Sequence, residues 1–175
     1  MKNRVATRFA GVERSATVAL IDKVQSMRAQ GVAVLDFGGG DPDFATAPHI
    51  AGAAATALSE GFTHYTSSRG IAPLVAAIAE KLRRDNGIVA DPASDVIVTP
   101  SAKHALFATM MTILDPGDEL LVPTPSWVSY QSMALLAGGR AVAAELDADD
   151  GFRITRALLE RHVSPRTKAI LINSP

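Results

Sequence analysis

Apolar runs of strand length alternate with helix-length segments over the second half of the chain, and this alternation limits the possible folds more than any other feature. The strand-like runs cover 96–99, 119–122, 141–145 and 168–172, and the helical segments between them cover 102–114, 127–137 and 155–162. Parallel strands need crossover connections of this length, and continuous apolar runs are typical of strands that are covered on both faces. The second half is therefore predicted to form an α/β layer with a largely parallel sheet.

The pattern differs before a predicted boundary near residue 90. Helices are predicted over 15–30, 48–60 and 71–86, and each is followed by a glycine, the residue that most often ends a helix in a left-handed conformation. Between the first two helices, 32–37 is predicted to be a short strand that ends at the Gly38-Gly39-Gly40 turn.

The last predicted strand makes an unusual chain end. Ala169 to Ile172 is predicted to be buried on both faces, and only Asn173, Ser174 and Pro175 follow it. A strand of this kind needs a neighbour on each side and helices above and below, and the predicted strands do not supply all of them. The 175 residues are therefore expected to come from a truncated open reading frame or to be a fragment of a larger protein.

Charge balance and the absence of cysteine exclude several classes of protein. The 17 basic and 18 acidic residues are spread along the chain and give a net charge of −1, so no basic block is available for a nucleic acid or a membrane surface. Without cysteine there is no disulfide framework, zinc ribbon or thiol nucleophile, and the four histidines lack metal-ligand spacing. No apolar run approaches about 18 residues, the length that spans a bilayer. We expect a small-molecule ligand, no metal and a cytoplasmic location.

Ser101, Ala102 and Lys103 lie where a predicted strand runs directly into a predicted helix. The first turn of a helix offers backbone N–H groups and the positive end of the helix dipole, which together favour an anion such as phosphate. The hydroxyl of Ser101 and the ammonium of Lys103 would add to this site. The alternative is an ordinary junction in which Ser101 only caps the helix.

Other candidate ligand-binding residues follow turns or strands. Trp127 is the single tryptophan and comes after a predicted strand, where ligands of open α/β folds bind and where a planar cofactor could stack. Gly40 could offer its N–H to a carboxylate in a close backbone approach, and Tyr65 lies in a polar loop. The alternatives are a core tryptophan, a flexible glycine turn and an ordinary loop tyrosine.

In order, these segments resemble the N-terminal part of the class I/II aminotransferases, pyridoxal-phosphate enzymes of fold type I, and within them the bacterial aspartate aminotransferase-like branch. The residues that carry the resemblance are Ser15-Ala16-Thr17, Gly40-Asp41-Pro42-Asp43-Phe44, Tyr65 with Gly70, Ser101 to Phe107, Asp115 to Glu119, Pro125 to Tyr130, Pro165 to Lys168 and Asn173-Ser174-Pro175.

The resemblance implies a role for each candidate site residue. It implies that Ser101, Ala102 and Lys103 hold the phosphate of pyridoxal 5′-phosphate and that Trp127 stacks on the pyridine ring. It implies that the Gly40 N–H meets the substrate α-carboxylate, and that Tyr65 reaches the phosphate of the neighbouring subunit in a homodimer.

The resemblance also implies a fold and a substrate class. The fold is a partial fold type I transferase fold with αβα layers, in which 1–45 form the N-terminal arm and part of the small domain and 46–175 an incomplete cofactor-binding domain. Lys103 and Thr17 favour aspartate or glutamate as substrate, whereas relatives that use acidic substrates often have lysine where this chain has Glu13.

Several functional residues of the family have no counterpart among the 175 residues, including the Schiff-base lysine, so no catalytic residue is assigned. The full-length form is expected to transfer an amino group between an amino acid and a 2-oxo acid, and this chain alone is expected to be inactive. The alternatives are a lyase of the same fold, a non-catalytic binding module and a degenerate remnant.

Overall fold

A computed structural model describes residues 5–9, 11–12, 15–40 and 42–174. After a short 3-10 helix at Thr7–Phe9, the helices and strands in chain order are α1 (Ala16–Ala29), α2 (Pro48–Ser59), α3 (Ala72–Asn86), α4 (Ala102–Ile113), β1 (Glu119–Thr124), α5 (Ser129–Leu136), β2 (Arg140–Glu145), α6 (Arg156–His162) and β3 (Thr167–Ile170). Each helix predicted from the sequence is present, and three of the predicted strands are present as β1, β2 and β3.

The chain divides into two compact units, one formed by residues 40–104 and the other by residues 1–39 together with 105–175. The division falls inside α4, so the first turn of this helix belongs to one unit and the remainder to the other. The assignment of 46–175 to one cofactor-binding domain stays a prediction.

The second unit contains a parallel three-stranded sheet with the order β2-β1-β3. Glu119 lies opposite Arg140 on β2 and opposite Thr167 on β3, so the three strands start at the same edge of the sheet. This sheet, with helices connecting its strands, confirms the α/β class.

The central strand β1 is covered on both faces, as its unbroken apolar sequence predicts. Leu120 and Val122 are buried in a cluster with Met110 of α4 and Met133 of α5. Leu121 points the opposite way, because successive strand residues alternate. It is buried with Ala144 of β2 and Leu158 of α6.

The strand order places a topological switch point beside β1. The chain passes from β1 through α5 to β2, and then through α6 to β3 on the other side of β1. The connection that leaves β1 (α5) and the one that leaves the adjacent β2 (α6) lie on opposite faces of the sheet, so a crevice forms outside the carboxyl ends of these two strands. In open α/β sheets such a crevice is the usual place for a ligand.

In the unit of residues 40–104, α3 packs onto an extended segment that leads to α4. Val75 and Ala79 of α3 form a buried cluster with Val96. Gly70 has a φ of 110°, and a Cβ atom there would lie only 2.7 Å from Cγ2 of Val98. A glycine is therefore required at position 70 for this close approach.

Two predicted strands are wrong. Within the described residues, 32–37 and 96–99 form no sheet. Leu35 and Phe37 are 88% and 94% exposed, so this apolar run is not covered by another element as a sheet strand would be. The N–H of Val98 donates to the carbonyl of Arg69 at 2.9 Å, which is a loop contact rather than a ladder.

β3 also differs from its prediction. It lies at one edge of the sheet and alternates between half-buried and exposed residues, and Ile170 is 41% exposed. The expectation of burial on both faces is therefore wrong for β3 in this chain, because Ala169 packs against the core cluster on one face while Lys168 and Ile170 on the other face are exposed.

Candidate functional site

The carboxyl end of β1 leads into the loop that carries Trp127. β1 ends at Thr124, whose peptide bond to Pro125 is cis, and α5 begins at Ser129. The Trp127 side chain is half-buried, and one side of it packs against the cluster that contains Val122 and Met133. Trp127 thus lies at the switch point that the strand order defines.

Tyr130 fixes the surroundings of this indole. Its ring centroid lies 5.4 Å from that of Trp127, with the two ring planes at 83°. Its hydroxyl donates a 2.6 Å hydrogen bond to Oδ1 of Asn173, which follows β3. The carboxyl ends of β1 and β3 are therefore joined through one tyrosine side chain.

A groove of about 1090 Å³ runs beside Trp127 in the same unit. The residues that line it include Gly11, Ser15, Ala16, Thr124, Ser126, Trp127, Gln131 and Arg140. The start of α1 and the end of β1 thus border one groove. Thr17 is the next residue of α1 and is half-buried, whereas Glu13 lies outside the described residues.

Ser101 caps α4. Its Oγ accepts a hydrogen bond of 3.2 Å from the N–H of His104, and its carbonyl accepts one of 2.9 Å from the Thr99 hydroxyl. The capping interpretation is therefore confirmed, but it does not exclude an anion site. A serine Oγ that accepts from the backbone still has its own proton to donate.

The donor set at the start of α4 suits a phosphate dianion. Ser101 supplies a hydroxyl, Lys103 a cationic side chain, and Ala102 is the first residue of the 12-residue helix. The side chains of Ser101 and Lys103 are exposed, so a ligand can reach them. Hydroxyl, ammonium and helix-start N–H groups together are the donors that bind phosphate in proteins.

Gly40 and Tyr65 belong to the same unit as Ser101 and are both exposed. A Cβ atom at Gly40 would meet no atom within 4 Å, so packing inside the described chain does not explain a glycine there. At Gly38 a Cβ atom would overlap Cδ2 of Leu20, so that glycine is needed for contact with α1. Asp41 lies outside the described residues.

The structure thus places the predicted residues in two sets. Ser101, Ala102 and Lys103 are consecutive at one helix start in the unit that also holds Gly40 and Tyr65. Trp127 and Thr17 belong to the other unit.

Sequence reasoning did not identify Tyr130 and Asn173 as a linked pair. The two residues are 43 positions apart, and only the parallel pairing of β3 with β1 brings them together. The one available signal was Tyr130 three residues after Trp127, a spacing that places both rings on one side of a helical turn.

A buried carboxylate lies at the amino ends of the strands, opposite to the end that carries Trp127. Glu119 is 2% exposed, and its carboxylate accepts hydrogen bonds from Arg140 at 2.7 Å, from the Ser164 hydroxyl at 2.7 Å and from Nε of Arg166 at 2.9 Å. These donors, with Arg140 the largest contributor, lower the pKa of Glu119 from 4.5 to about 2. The cluster joins the amino ends of three strands and lies away from the switch point.

Among the described residues, no group of three or more His, Asp or Glu side chains is arranged to hold a metal ion. Over the same ranges, no helix combines the length and the apolar character needed to cross a bilayer.

Comparison with known proteins identifies the family. Residues 32–175 match the family described as aminotransferase class I and II, and this protein belongs to that family. The family is pyridoxal-phosphate-dependent. The sequence-based assignment to it, including the aspartate aminotransferase branch, is therefore confirmed.

Individual relatives agree with the family match. The aspartate aminotransferase of Musicola paradisiaca is 46% identical over 171 residues, which cover 98% of this chain and 43% of that protein. The aspartate/prephenate aminotransferase of Thermus thermophilus is 43% identical over 171 residues, which cover 98% of this chain and 44% of that protein.

Solved structures match over the same region. The structure of aspartate aminotransferase from Thermus thermophilus with maleate has a TM-score of 0.94 at 42% identity, and the match covers 100% of this chain and 45% of that one. The aspartate aminotransferase of Rhizobium meliloti has a TM-score of 0.92 at 38% identity, and the match covers 99% of this chain and 43% of that one. This chain therefore spans less than half the length of the relatives it matches.

Proposed function

We propose that the protein containing this segment is a pyridoxal-phosphate-dependent aminotransferase that transfers an amino group between an amino acid and a 2-oxo acid. The observation that carries the proposal is the match of the whole chain to an aspartate aminotransferase structure at a TM-score of 0.94. Bound pyridoxal phosphate supplies an electron sink for reactions at the α-carbon of the amino acid.

The first turn of α4 is proposed to bind the cofactor phosphate. The Ser101 hydroxyl and the Lys103 ammonium donate to phosphate oxygens, and the N–H of Ala102 adds a backbone donor. Charge-assisted hydrogen bonds of this kind contribute roughly 1.5–3 kcal/mol each. The capping bond from His104 to Ser101 supports this arrangement, because it fixes the serine oxygen at the helix start.

Trp127 is proposed to stack on the pyridine ring. Its half-buried position at the carboxyl end of β1 supports this role, since the indole is braced on one side by the core and by Tyr130. A flat apolar face held in this way excludes water from one side of a bound ring and sets the ring's plane.

The substrate is proposed to be an amino acid, with aspartate or glutamate as the preferred class. Gly40 would donate its N–H to the α-carboxylate, and Lys103 and Thr17 would favour a second carboxylate. The names of the aspartate aminotransferase relatives support an acidic substrate.

A homodimer is also proposed, in which Tyr65 reaches the cofactor phosphate of the partner subunit. The full exposure of its side chain supports this, because a tyrosine that serves another subunit does not pack within its own. The cytoplasmic location stays a prediction.

The test compares binding of pyridoxal 5′-phosphate and of pyridoxal to the full-length gene product. Ala102→Pro removes one N–H at a helix position that tolerates proline, whereas Ala102→Gly keeps the N–H and is the control. We expect the proline variant to lose affinity for pyridoxal 5′-phosphate and to bind pyridoxal like the parent.

Activity is then measured as amino-group transfer from aspartate to 2-oxoglutarate. Transfer would support the aminotransferase, whereas cofactor binding with loss of a substrate side chain or carboxylate would indicate a lyase. A gene product that binds no pyridoxal 5′-phosphate would contradict the proposal and favour a non-catalytic module or a remnant.

A further inference from the structure

Tyr130 makes two contacts with Trp127 and one with Asn173. Its ring meets the indole at 83° with the centroids 5.4 Å apart, and its backbone N–H donates to the Trp127 carbonyl at 3.2 Å. Its hydroxyl donates to Oδ1 of Asn173 at 2.6 Å. Tyr130 is only 7% exposed as a residue, and its hydroxyl forms a partly buried bond to Asn173, which is itself exposed.

The bond to Asn173 fixes the orientation of the tyrosine ring. A hydroxyl on a largely buried tyrosine is stabilised by a fixed partner, since losing that partner leaves a partly desolvated polar group unpaired. Asn173 follows β3, which is hydrogen-bonded to β1, so the acceptor is placed by the sheet rather than by the loop that carries Trp127. The Tyr130 ring is therefore held at a fixed position relative to the sheet, and its contact with the indole holds the indole in place as well.

We infer that Tyr130, anchored by Asn173, is a positioning residue that holds the indole of Trp127 in the plane needed to stack on a cofactor ring. This inference rests on the proposed function, since it assigns Trp127 to the pyridine ring. It adds to that function a residue pair that touches neither phosphate nor substrate.

The role makes a distinctive prediction about cofactor selectivity. A residue that acts through the indole changes how tightly the pyridine ring is bound, and both pyridoxal 5′-phosphate and pyridoxal contain this ring. A residue that acts through the phosphate site changes only the affinity for pyridoxal 5′-phosphate. Loss of the Tyr130 hydroxyl should therefore weaken both ligands by the same factor, about fivefold for one hydrogen bond of typical net strength.

The experiment uses the cofactor-free full-length gene product labelled with 5-fluorotryptophan. Trp127→Phe identifies the fluorine resonance of Trp127. Tyr130→Phe and Asn173→Leu remove the bond from either side, and Asn173→Asp keeps an acceptor oxygen as the rescuing variant. Leu158→Ala is the matched control, because it weakens the core on the face of β1 opposite to Trp127.

Two readouts are taken on each variant, namely the fluorine resonance of Trp127 without ligand and the dissociation constants of pyridoxal 5′-phosphate and pyridoxal. In Tyr130→Phe and Asn173→Leu we expect the resonance to shift or broaden and both dissociation constants to rise about fivefold. We expect Asn173→Asp to restore both readouts. Leu158→Ala should lower the unfolding temperature without moving the resonance.

The inference is overturned if Tyr130→Phe leaves the resonance and both affinities unchanged while Trp127→Phe weakens both ligands. That result would leave the proposed function intact. If Trp127→Phe itself changes neither affinity, the assignment of Trp127 to the pyridine ring fails, and with it this inference. If Asn173→Leu does not fold, Tyr130→Phe decides the question alone.

Discussion

Arg140 donates a 2.7 Å hydrogen bond to the carboxylate of Glu119 and so joins the first residue of β2 to the first residue of β1. Arg166 and Ser164, which precede β3, donate to the same carboxylate. One buried anion therefore aligns the starts of all three parallel strands, at the edge of the sheet opposite to the proposed cofactor position.

Glu119→Gln is expected to change the pH dependence of stability. The folded-state pKa of Glu119 is lowered from 4.5 to about 2, so the stabilisation by its charge is complete above pH 4.5 and is lost as the pH falls toward 2. The variant should be less stable at neutral pH and should show a flatter decline across that window. Urea unfolding at a series of pH values measures this, with Glu60→Gln on the exposed end of α2 as control. Parallel curves for parent and Glu119→Gln would contradict the assignment.

Gly70→Ala is expected to destabilise the unit of residues 40–104. The new Cβ atom would lie 2.7 Å from Val98 in a backbone with a φ of 110°. Left-handed strain and overpacking together should cost about 2–4 kcal/mol. Gly87→Ala is the matched control, because Gly87 also has a positive φ of 67° but no atom within 4 Å of the added Cβ.

For Gly87→Ala we expect only the conformational cost, about 1–2 kcal/mol. The double variant Gly70→Ala, Val98→Ala should recover part of the loss. Thermal unfolding of all three variants measures these differences, and equal losses for the two single variants would show that the contact with Val98 does not matter.

Two substitutions at Ser101 separate helix capping from phosphate binding. Ser101→Ala removes both the cap and the hydroxyl donor, so stability should fall by about 1 kcal/mol and cofactor affinity by about tenfold. Ser101→Asp retains a good cap but places a negative charge beside the phosphate. Stability should then stay at the parent level while pyridoxal 5′-phosphate binding falls further. Titration calorimetry and thermal unfolding give both quantities, and unaltered cofactor affinity in Ser101→Asp would leave Ser101 as a cap alone.

Lys103→Ala tests which anion this lysine serves. If Lys103 binds the phosphate, the variant should lose affinity for pyridoxal 5′-phosphate by about tenfold or more, the value of one charge-assisted hydrogen bond. If it binds the distal carboxylate of the substrate, KM should rise for aspartate and glutamate while alanine is unaffected. Steady-state kinetics with acidic and neutral amino acids, beside cofactor titration, distinguish the two, and a variant unchanged in both assays would remove Lys103 from the site.

The 175-residue chain expressed alone is expected to self-associate and to lack aminotransferase activity. β3 is an edge strand with Ile170 exposed, and such edges pair with other chains. Ile170→Lys should reduce association, as charged residues protect natural edge strands. Light scattering checks the first expectation, and a monodisperse chain that transfers amino groups would overturn both.

The sequence determined the local structure and the family of this protein. The ends of α1, α2, α3 and α5 followed from the glycine after each of them, and the starts of α4 and α6 from Ser101 and Thr155, because these residues act through their own backbone or their nearest neighbours. The buried character of β1 followed from its unbroken apolar run, and the order of short motifs was enough to assign the family. Ser101, Ala102 and Lys103 could be selected as a helix start for the same local reason.

Only the tertiary structure decided which apolar runs became strands. Residues 32–37 and 96–99 have strand-like composition but no ladder partner among the described residues, and a strand exists only through hydrogen bonds to another segment. The same physics explains the residues that the sequence did not reveal. The Glu119 cluster and the contact between Tyr130 and Asn173 each join segments more than 20 residues apart, and only the order and register of the parallel strands bring their side chains within bonding distance.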